Sequence, residues 1–168
     1  MNDLPKLPGS PQVSDTRITP ARTPEEIQNV RQLFREYVDG TGACECFERL
    51  AKEIAGLPGP YGTPPGQLLL AELDGRSAGC VALRKLDDGI CEMKRLYVRP
   101  AFRGRHLGRQ LAEVIIKEAR RIGYRAMRLD TLSSMVAARA LYQSLGFCAI
   151  PRYNDNPGPG VIHLELKL

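Results

Sequence analysis

The sequence predicts an α/β domain in which a mixed, mostly antiparallel sheet is flanked by helices. The middle of the chain carries three consecutive strand patterns joined by tight turns, and the second half alternates helix and strand patterns. Its 168 residues, 43% hydrophobic and 26% charged, are typical of one globular domain with its own core. Apolar runs are too short to span a membrane, and residues 1–11 lack a signal-peptide core.

The first third of the chain predicts a flexible arm followed by helices. Three prolines within residues 1–15 predict the arm, and the domain is expected to occupy residues 16–168, with a short strand at 17–19. Thr23-Pro24-Glu25-Glu26 has the pattern of a capping box and predicts a helix that ends near Gly40. A second short helix is expected over 44–55. The segment 56–66 contains four glycines and four prolines, which predicts neither helix nor central strand.

The rest of the chain predicts five strands and two helices. Asp74-Gly75 joins two strand patterns into a β-hairpin, and a third strand follows the turn at residues 87–89. A long amphipathic helix then ends at Gly123, and Gly146 follows a second helix. The predicted ranges are 67–73, 76–84, 90–98, 125–130 and 161–166 for strands, and 107–122 and 134–145 for helices.

Positive charge is concentrated in one segment. The net charge is +5, but residues 94–128 hold eleven Lys and Arg against two Glu, a local charge of +9. This predicts an anionic partner, either nucleic acid or a phosphate-bearing small molecule. The five cysteines form no CxxC pair, which favours free thiols in a reducing cytoplasm. Cys44-x-Cys46 has no histidines at ligand spacing, so no metal site is expected.

The most informative segment is the connection between the strand ending at Val98 and the helix opening near Leu107. Backbone N–H groups in such a loop and in the first helical turn lack helical partners, and together with the helix dipole they form an anion site. Arg103, Arg105 and Arg109 add positive charge, while Gly104 and Gly108 allow close approach of a phosphate. The spacing fits neither the Rossmann glycine pattern nor the P-loop.

Two motifs in this half resemble those of the GNAT superfamily of acyl-CoA N-acyltransferases. Arg103-x-x-x-x-Gly108, within "RLYVRPAFRGRHLGRQL", is similar to motif A (Q/R-x-x-G-x-G/A), and "ARALYQSLGF" at 138–147 is similar to motif B. The resemblance covers about residues 16–168. It departs from the family pattern at His106, which replaces the middle glycine of motif A, and at Met135, which replaces a frequent asparagine.

The resemblance implies how a coenzyme would bind. It implies a sheet that splays between the fourth and fifth strands, with acetyl-CoA as co-substrate in the gap and no metal. Peptide groups of Leu96, Tyr97 and Val98 would bind the pantetheine arm. The pyrophosphate would lie on the loop residues Arg103, Gly104, Arg105, His106, Leu107, Gly108 and Arg109. The implied reaction is direct acetyl transfer to a primary amine of a small molecule or peptide.

Acetyl transfer needs a base, because an alkylammonium must lose a proton before it attacks. The resemblance implies that Glu92 is this base, acting through a water. Two alternatives remain: Glu92 is a strand glutamate paired with a nearby Arg or Lys, or it is a negative charge that only attracts a cationic substrate. Cys91 should face away from it, since strand residues alternate.

The resemblance implies that Tyr142 is the acid that protonates the departing thiolate. The alternative is that Tyr142 is a packed aromatic side chain on the buried face of its helix. Several other polar residues are candidates for the amine pocket or are plain connection residues: Tyr61, Tyr153, Asn154, Asn156 and Asp130.

Two other function classes remain open from the sequence. A non-catalytic acyl-CoA-responsive protein would use the same coenzyme pocket without a working base. A nucleic-acid binder would use the basic segment 94–128, although no nucleic-acid motif is present and only 6% of residues are aromatic. The resemblance also allows a homodimer, and the acceptor amine is not identified by the sequence.

Overall fold

The structure, a computed structural model, describes residues 15–41, 47–155 and 159–168. The predicted arm at residues 1–15, apart from Asp15, lies outside the described residues, as do Cys44, Cys46 and Asn156. The backbone N–H of Asp15 donates to Asp74 Oδ1 at 3.0 Å, so the described chain begins against the β-hairpin turn.

The fold is a seven-stranded sheet with helices on both faces, as predicted. The strands are β1 (Thr16–Pro20), β2 (Gln67–Leu73), β3 (Arg76–Asp87), β4 (Ile90–Val98), β5 (Ala126–Leu132), β6 (Cys148–Ile150) and β7 (Val161–Lys167). The helices are α1 (Pro24–Thr41), α2 (Phe47–Ala55), α3 (Leu107–Ile122) and α4 (Val136–Ser144). The strand order is β1-β2-β3-β4-β5-β7-β6, and all neighbouring strands are antiparallel except β4 and β5.

The sheet opens between β4 and β5, which confirms the predicted splay. These strands pair only over Ile90–Glu92 and Ala126–Arg128, although β4 continues to Val98 and β5 to Leu132. After the last pair, Glu92 with Arg128, β4 has a bulge in which Arg95 adopts the left-handed region at φ 58°. Bulges increase local twist and bend the strand. The second half of β4 therefore has one edge that β5 does not cover.

Two apolar cores lie on opposite faces of the sheet. The larger core contains buried residues of α3 and inward-facing residues of β3, β4 and β5, including Val81, Cys91 and Met127. The smaller core packs α1 and α2 against β2 and β3, with Phe34 and Leu70 at its centre. Because strand side chains alternate, Glu92 lies on the face opposite Cys91, as predicted.

Most predicted elements are present, and the differences are local. The capping box is formed: Thr23 N–H donates to Glu26 Oε2 at 2.9 Å, and Glu26 N–H donates to Thr23 Oγ1 at 3.2 Å. Residues 59–61 form a single 3₁₀ turn in a segment predicted to contain no helix. Strand β6 has only three residues, too few for a periodic pattern, and it was not predicted. Helix α4 begins at Val136, two residues later than predicted.

Candidate active site

A cavity of about 530 Å³ lies between the loop after β4, the start of α3 and α4. It is lined by all the loop residues of the predicted pyrophosphate site except Arg105, together with Val98 and Phe102. The opposite wall consists of Ala137, Ala140, Leu141 and Ser144 of α4. The structure thus brings the two sequence motifs together on one cavity. The α4 wall lies within or next to "ARALYQSLGF", but only Tyr142 of that stretch was assigned a role from the sequence.

The loop at the cavity mouth contains two residues in the left-handed region. Gly104 has φ 78° and His106 has φ 58°, immediately before the first turn of α3. A glycine adopts this conformation without steric cost, which explains a preference for glycine at the position that His106 holds. His106 is the N-cap residue of α3, and its side chain makes no capping hydrogen bond to the first backbone N–H groups of the helix.

Ion pairs neutralise about half of the cations in the basic segment. Six of its eleven cations have an acidic partner within 4.0 Å: Lys94, Arg95, Arg99, Arg109, Arg121 and Arg128. Arg103 and Arg105 have no acidic partner among the described residues. Of the five cations left without an acidic partner among the described residues, these two lie just before the start of α3, where the helix dipole adds to their charge.

Arg103 and Arg109 make different contacts at the cavity. Arg103 Nε donates to the carbonyl oxygen of Val98 at 3.2 Å. Arg109 crosses from α3 to α4 and donates to Ser144 Oγ at 2.6 Å. The Val98 carbonyl, which was expected to bind a pantetheine arm, thus already accepts a bond from a loop arginine.

Leu96, Tyr97 and Val98 lie on the part of β4 that β5 leaves uncovered. Tyr97 and Val98 are paired with β3 on the other side. The Tyr97 ring packs edge-on against Tyr37 of α1, with centroids 6.1 Å apart. One edge of this segment is therefore fixed by the sheet, and the other can pair with an extended ligand.

Glu92 is completely buried, at 0% exposure, where β4 and β5 make their last pair. Arg84 of β3 contacts Glu92 Oε2 through Nε at 2.7 Å and through its terminal nitrogen at 2.6 Å. The Tyr153 hydroxyl donates to Glu92 Oε1 at 2.8 Å. Both carboxylate oxygens thus have donors. The pairing with an arginine, one of the alternatives from the sequence, is present.

Glu92 belongs to a layer of charged side chains on the sheet face away from α3. We call this the polar layer: Arg84, Glu92, Lys94, Arg128, Asp130, His163 and Glu165, which alternate along their strands with residues of the larger core. Three ion pairs run through it, Arg84–Glu92, Lys94–Asp130 and Arg128–Glu165. The sequence does not reveal these pairs, because each joins residues of two strands.

Tyr153 and Asn154 cover the polar layer. The Tyr153 ring lies edge-on to His163, and the Arg128 guanidinium lies 5.5 Å from its centroid. Asn154 donates to Asp130 Oδ2 at 3.4 Å. Tyr61 is elsewhere: it is buried in the smaller core and donates to Glu53 Oε1 at 2.6 Å. Of the candidates for an amine pocket, Tyr153, Asn154 and Asp130 come together and Tyr61 does not.

Tyr142 is 8% exposed and packs edge-on against Phe147, with centroids 5.7 Å apart. Burial raises the pKa of its hydroxyl, and the nearby Tyr37 and Asp130 raise it further. Its hydroxyl has no hydrogen-bond partner within residues 15–41, 47–155 and 159–168. Tyr142 is thus a neutral, protonated tyrosine beside the cavity wall formed by α4.

A residue of α2 contacts the bulge in β4. Arg95 is buried, and it donates to Glu53 Oε1 at 3.2 Å through Nε and to Oε2 at 2.7 Å. Its guanidinium also lies 5.7 Å from the centroid of Tyr37. We call Glu53 and Arg95 the bulge pair. It was not found from the sequence, since nothing in a strand pattern marks a bulge at a non-glycine residue.

The described parts of the chain contain no group of three His, Cys, Asp or Glu that could hold a metal ion. Within the same residues, no helix has both the length and the apolar character needed to cross a membrane. Cys80, Cys91 and Cys148 are free thiols.

Known proteins resemble the chain over most of its length. The model of the acetyltransferase (GNAT) family matches residues 27–147. An uncharacterised N-acetyltransferase of Schizosaccharomyces pombe is 37% identical over 157 residues, covering 92% of this chain and 96% of that protein. The N-acetylaspartate synthetase of Homo sapiens is 34% identical over 119 residues, covering 70% of this chain but 37% of that protein.

Solved structures share the fold. An acetyltransferase from Streptococcus agalactiae superposes with a TM-score of 0.76 at 22% identity, over 91% of this chain and 98% of that one. An N-acetyltransferase from Thermoplasma acidophilum in complex with coenzyme A superposes with a TM-score of 0.67 at 17% identity, over 92% and 99%.

Proposed function

The chain belongs to the GNAT acetyltransferase family, and on that premise we propose that it transfers the acetyl group of acetyl-CoA directly to a primary amine of a small molecule or peptide. Residues 16–168 carry this activity. The observation that supports it best is the cavity of about 530 Å³ whose mouth carries the unneutralised Arg103 and whose far end meets the uncovered edge of β4.

The residues of the cavity suit acetyl-CoA. Arg103, Arg105 and the first amides of α3 would bind the phosphates, because cations and unpaired N–H groups at a helix start attract anions. The uncovered edge at Leu96–Val98 would bind the amides of the pantetheine arm as an added strand does. Backbone N–H groups near Leu96 would stabilise negative charge on the thioester oxygen.

Two side chains would perform the proton transfers. Glu92 would receive the proton that the acceptor ammonium loses, since it is the carboxylate at the point where the sheet opens. Tyr142 would donate its proton to the departing thiolate, because its hydroxyl is protonated and its helix, α4, forms one wall of the cavity. No cysteine or serine nucleophile is required for direct transfer.

The polar layer favours an acceptor that carries charge of its own. It presents three acidic and three basic side chains beside the opening of the sheet, with Tyr153 and Asn154 above them. Some relatives are N-acetylaspartate synthetases, whose name gives an acetylated amino acid as their product. Amino acids, L-aspartate among them, are therefore the first acceptors to test.

The coenzyme site is tested by calorimetric titration of acetyl-CoA at physiological salt, with Gly108→Asp as the variant. We expect one-to-one binding by the wild type and at least a 100-fold loss in the variant. A Cβ at Gly108 would lie 3.8 Å from Val98 and 4.0 Å from Leu141, so the variant can fold, but its carboxylate would repel the phosphates. Gln110→Asp adds the same charge on α3 outside the cavity and is the matched control.

Transferase activity is tested by thiol release from acetyl-CoA with a panel of amines: L-aspartate, other amino acids, a polyamine and a peptide with a free N-terminus. Turnover of at least one amine supports the proposal. Saturable binding of acetyl-CoA without turnover of any amine contradicts it and favours an acyl-CoA-responsive binding protein. Absence of binding contradicts the coenzyme site itself.

A further inference from the structure

We infer that Tyr153 is a catalytic residue that relays the proton of the acceptor amine to the buried carboxylate of Glu92. This inference rests on the proposed transferase function. It starts from a difficulty in that function: Glu92 lies where a base is needed, but it has no exposed surface. An acceptor amine therefore cannot contact Glu92 directly, and its proton can reach Glu92 only through another group.

The contacts of Glu92 leave one connection toward the acceptor side. Arg84 covers Oε2 with two nitrogens, and a guanidinium cannot accept a proton. Oε1 accepts the hydrogen bond of the Tyr153 hydroxyl at 2.8 Å. A phenol both donates and accepts, so Tyr153 can give its proton to Glu92 while its oxygen takes another.

Tyr153 is also placed to meet a ligand. It is only half-buried, in the segment that leads from β6 toward β7, so its side chain spans from the surface to Glu92. Arg128 and His163 pack against its ring and hold its orientation. The next residue, Asn154, donates a hydrogen bond to Asp130 of the polar layer, and this contact holds the backbone beside Tyr153 against that layer.

The proposed step balances within this pair. A proton passes from the ammonium nitrogen to Tyr153 Oη, and the original hydroxyl proton passes to Glu92 Oε1. The tyrosine is neutral before and after, the amine becomes neutral, and Glu92 becomes a carboxylic acid. After product release the proton returns to solvent by the reverse path through the same hydroxyl.

The two transfers must occur together. Burial raises the pKa of Tyr153, and the charge of Glu92, the hydrogen bond to it and the charge of Asp130 raise it further, while Arg84 opposes them. A free tyrosinate is therefore disfavoured at neutral pH. A relay in which Tyr153 loses one proton as it gains another avoids that species.

The test compares Tyr153→Phe, Glu92→Gln and the double variant, using the amine with the highest kcat/KM in the panel. Tyr153→Phe keeps the ring against Arg128 and His163 and removes only the hydroxyl. We expect each single variant to lower kcat by about 10²-fold at pH 7. The double variant should be no slower than the slower single variant, because the two residues form one path.

The pH profile separates a relay from a structural role. Without a working base, the rate depends on the fraction of amine that is already neutral, and this fraction rises as pH approaches ~10. The deficits of Tyr153→Phe and Glu92→Gln should therefore shrink in parallel as pH rises. A loss caused by misplaced side chains would persist at every pH.

Tyr124→Phe is the matched control. Tyr124 is a buried tyrosine whose hydroxyl donates to the carbonyl oxygen of Pro65 at 2.8 Å, away from Glu92. It should change kcat by less than twofold. The relay is overturned if Tyr153→Phe keeps wild-type kcat, or if the double variant shows the product of the two single losses. A wild-type protein that turns over no amine overturns the transferase function itself, and the relay with it.

Discussion

One face of the sheet is built in two different ways on its two halves. Under α1 and α2, strands β2 and β3 present Leu68, Leu70, Cys80 and Ala82, which are at most 2% exposed. Beside them, the end of β3 and strands β4, β5 and β7 present the polar layer with its three ion pairs. The same sheet thus buries hydrocarbon on one half and carries paired, mostly half-buried charges on the other.

The two halves differ in what burial contributes to folding. Each fully buried apolar side chain stabilises the fold by about 1.5–3 kcal/mol. A buried ion pair is close to neutral, because the attraction between the charges mainly offsets their desolvation. Stability alone would favour an apolar layer on both halves. We infer that the polar layer is kept for chemistry, and substitutions in the two halves should separate stability from activity.

The largest loss of stability is expected on the apolar half. Leu70→Ala leaves a cavity in the smaller core, where Leu70 is 1% exposed, and should lower the free energy of unfolding by about 4 kcal/mol. Denaturant unfolding measures this, and kcat of the folded fraction should stay within twofold of wild type. The control is Val136→Ala, at 70% exposure, which should cost less than about 0.5 kcal/mol. A cost below about 1 kcal/mol for Leu70→Ala would mean that α1 and α2 add little to stability.

A somewhat smaller loss is expected from breaking one pair of the polar layer. Arg84→Met leaves the fully buried Glu92 with Tyr153 as its remaining donor and should cost about 3 kcal/mol. Replacing both partners, as Arg84→Met with Glu92→Met, should return stability to within about 1 kcal/mol of wild type and lower kcat by about 10²-fold. The free energy of unfolding and thiol release measure the two effects separately.

Two outcomes would contradict this interpretation of the polar layer. If the double variant is as unstable as Arg84→Met, the ion pair itself stabilises the fold. If the double variant keeps its activity, Glu92 is not the base. Arg17→Met removes the cation of an exposed pair, Arg17–Glu72, and should change stability by less than about 0.5 kcal/mol.

The difference between the halves also explains how much could be predicted from the sequence. Local signals predicted the fold: the Thr23–Glu26 capping box, the Asp74-Gly75 turn, Gly123 and the alternation of apolar residues all correspond to observed features. The apolar half could be predicted from the same patterns, because an apolar side chain on an alternating strand is expected to be buried whatever its partner is. The loop that lines the cavity could be singled out because its glycines and arginines lie within seven consecutive residues, 103–109.

The polar layer could not be predicted in the same way, because its pairs form across strands. Arg84 and Glu92 are separated by a turn, and Glu92 and Tyr153 by 61 residues, so no spacing links them. Near the Arg84–Glu92 pair, the register of β3 with β4 shifts between Lys85 and Asp87 beside the turn, and no strand pattern marks that irregularity. Glu92 was therefore predicted as a candidate base from the family resemblance, while its partners came only from the structure.

The smallest of these effects is expected where the two halves meet, at the bulge pair. Burial alone would raise the pKa of Glu53, but the hydrogen bonds and charge of Arg95 outweigh it and lower the pKa below its ordinary value. A carboxyl whose pKa is lower in the folded than in the unfolded protein stabilises the fold above its unfolded pKa of ~4.3 and loses that contribution as pH falls through the folded pKa. Wild-type stability should therefore fall as pH is lowered below about 4.

Glu53→Gln should lower the free energy of unfolding by about 1.5 kcal/mol at pH 6, because Arg95 loses its charged partner, and it should make the decline in acid shallower. Glu36→Gln is the comparison: Arg99 likewise lowers the pKa of Glu36, chiefly by hydrogen bonding, but that pair is more exposed and its effect should be smaller. Unfolding curves between pH 3 and 7 measure both. Equal losses of stability in the two variants would mean that burial does not strengthen the Glu53–Arg95 pair. The contact with α2 would then contribute no more to the fold than the more exposed Glu36–Arg99 pair does.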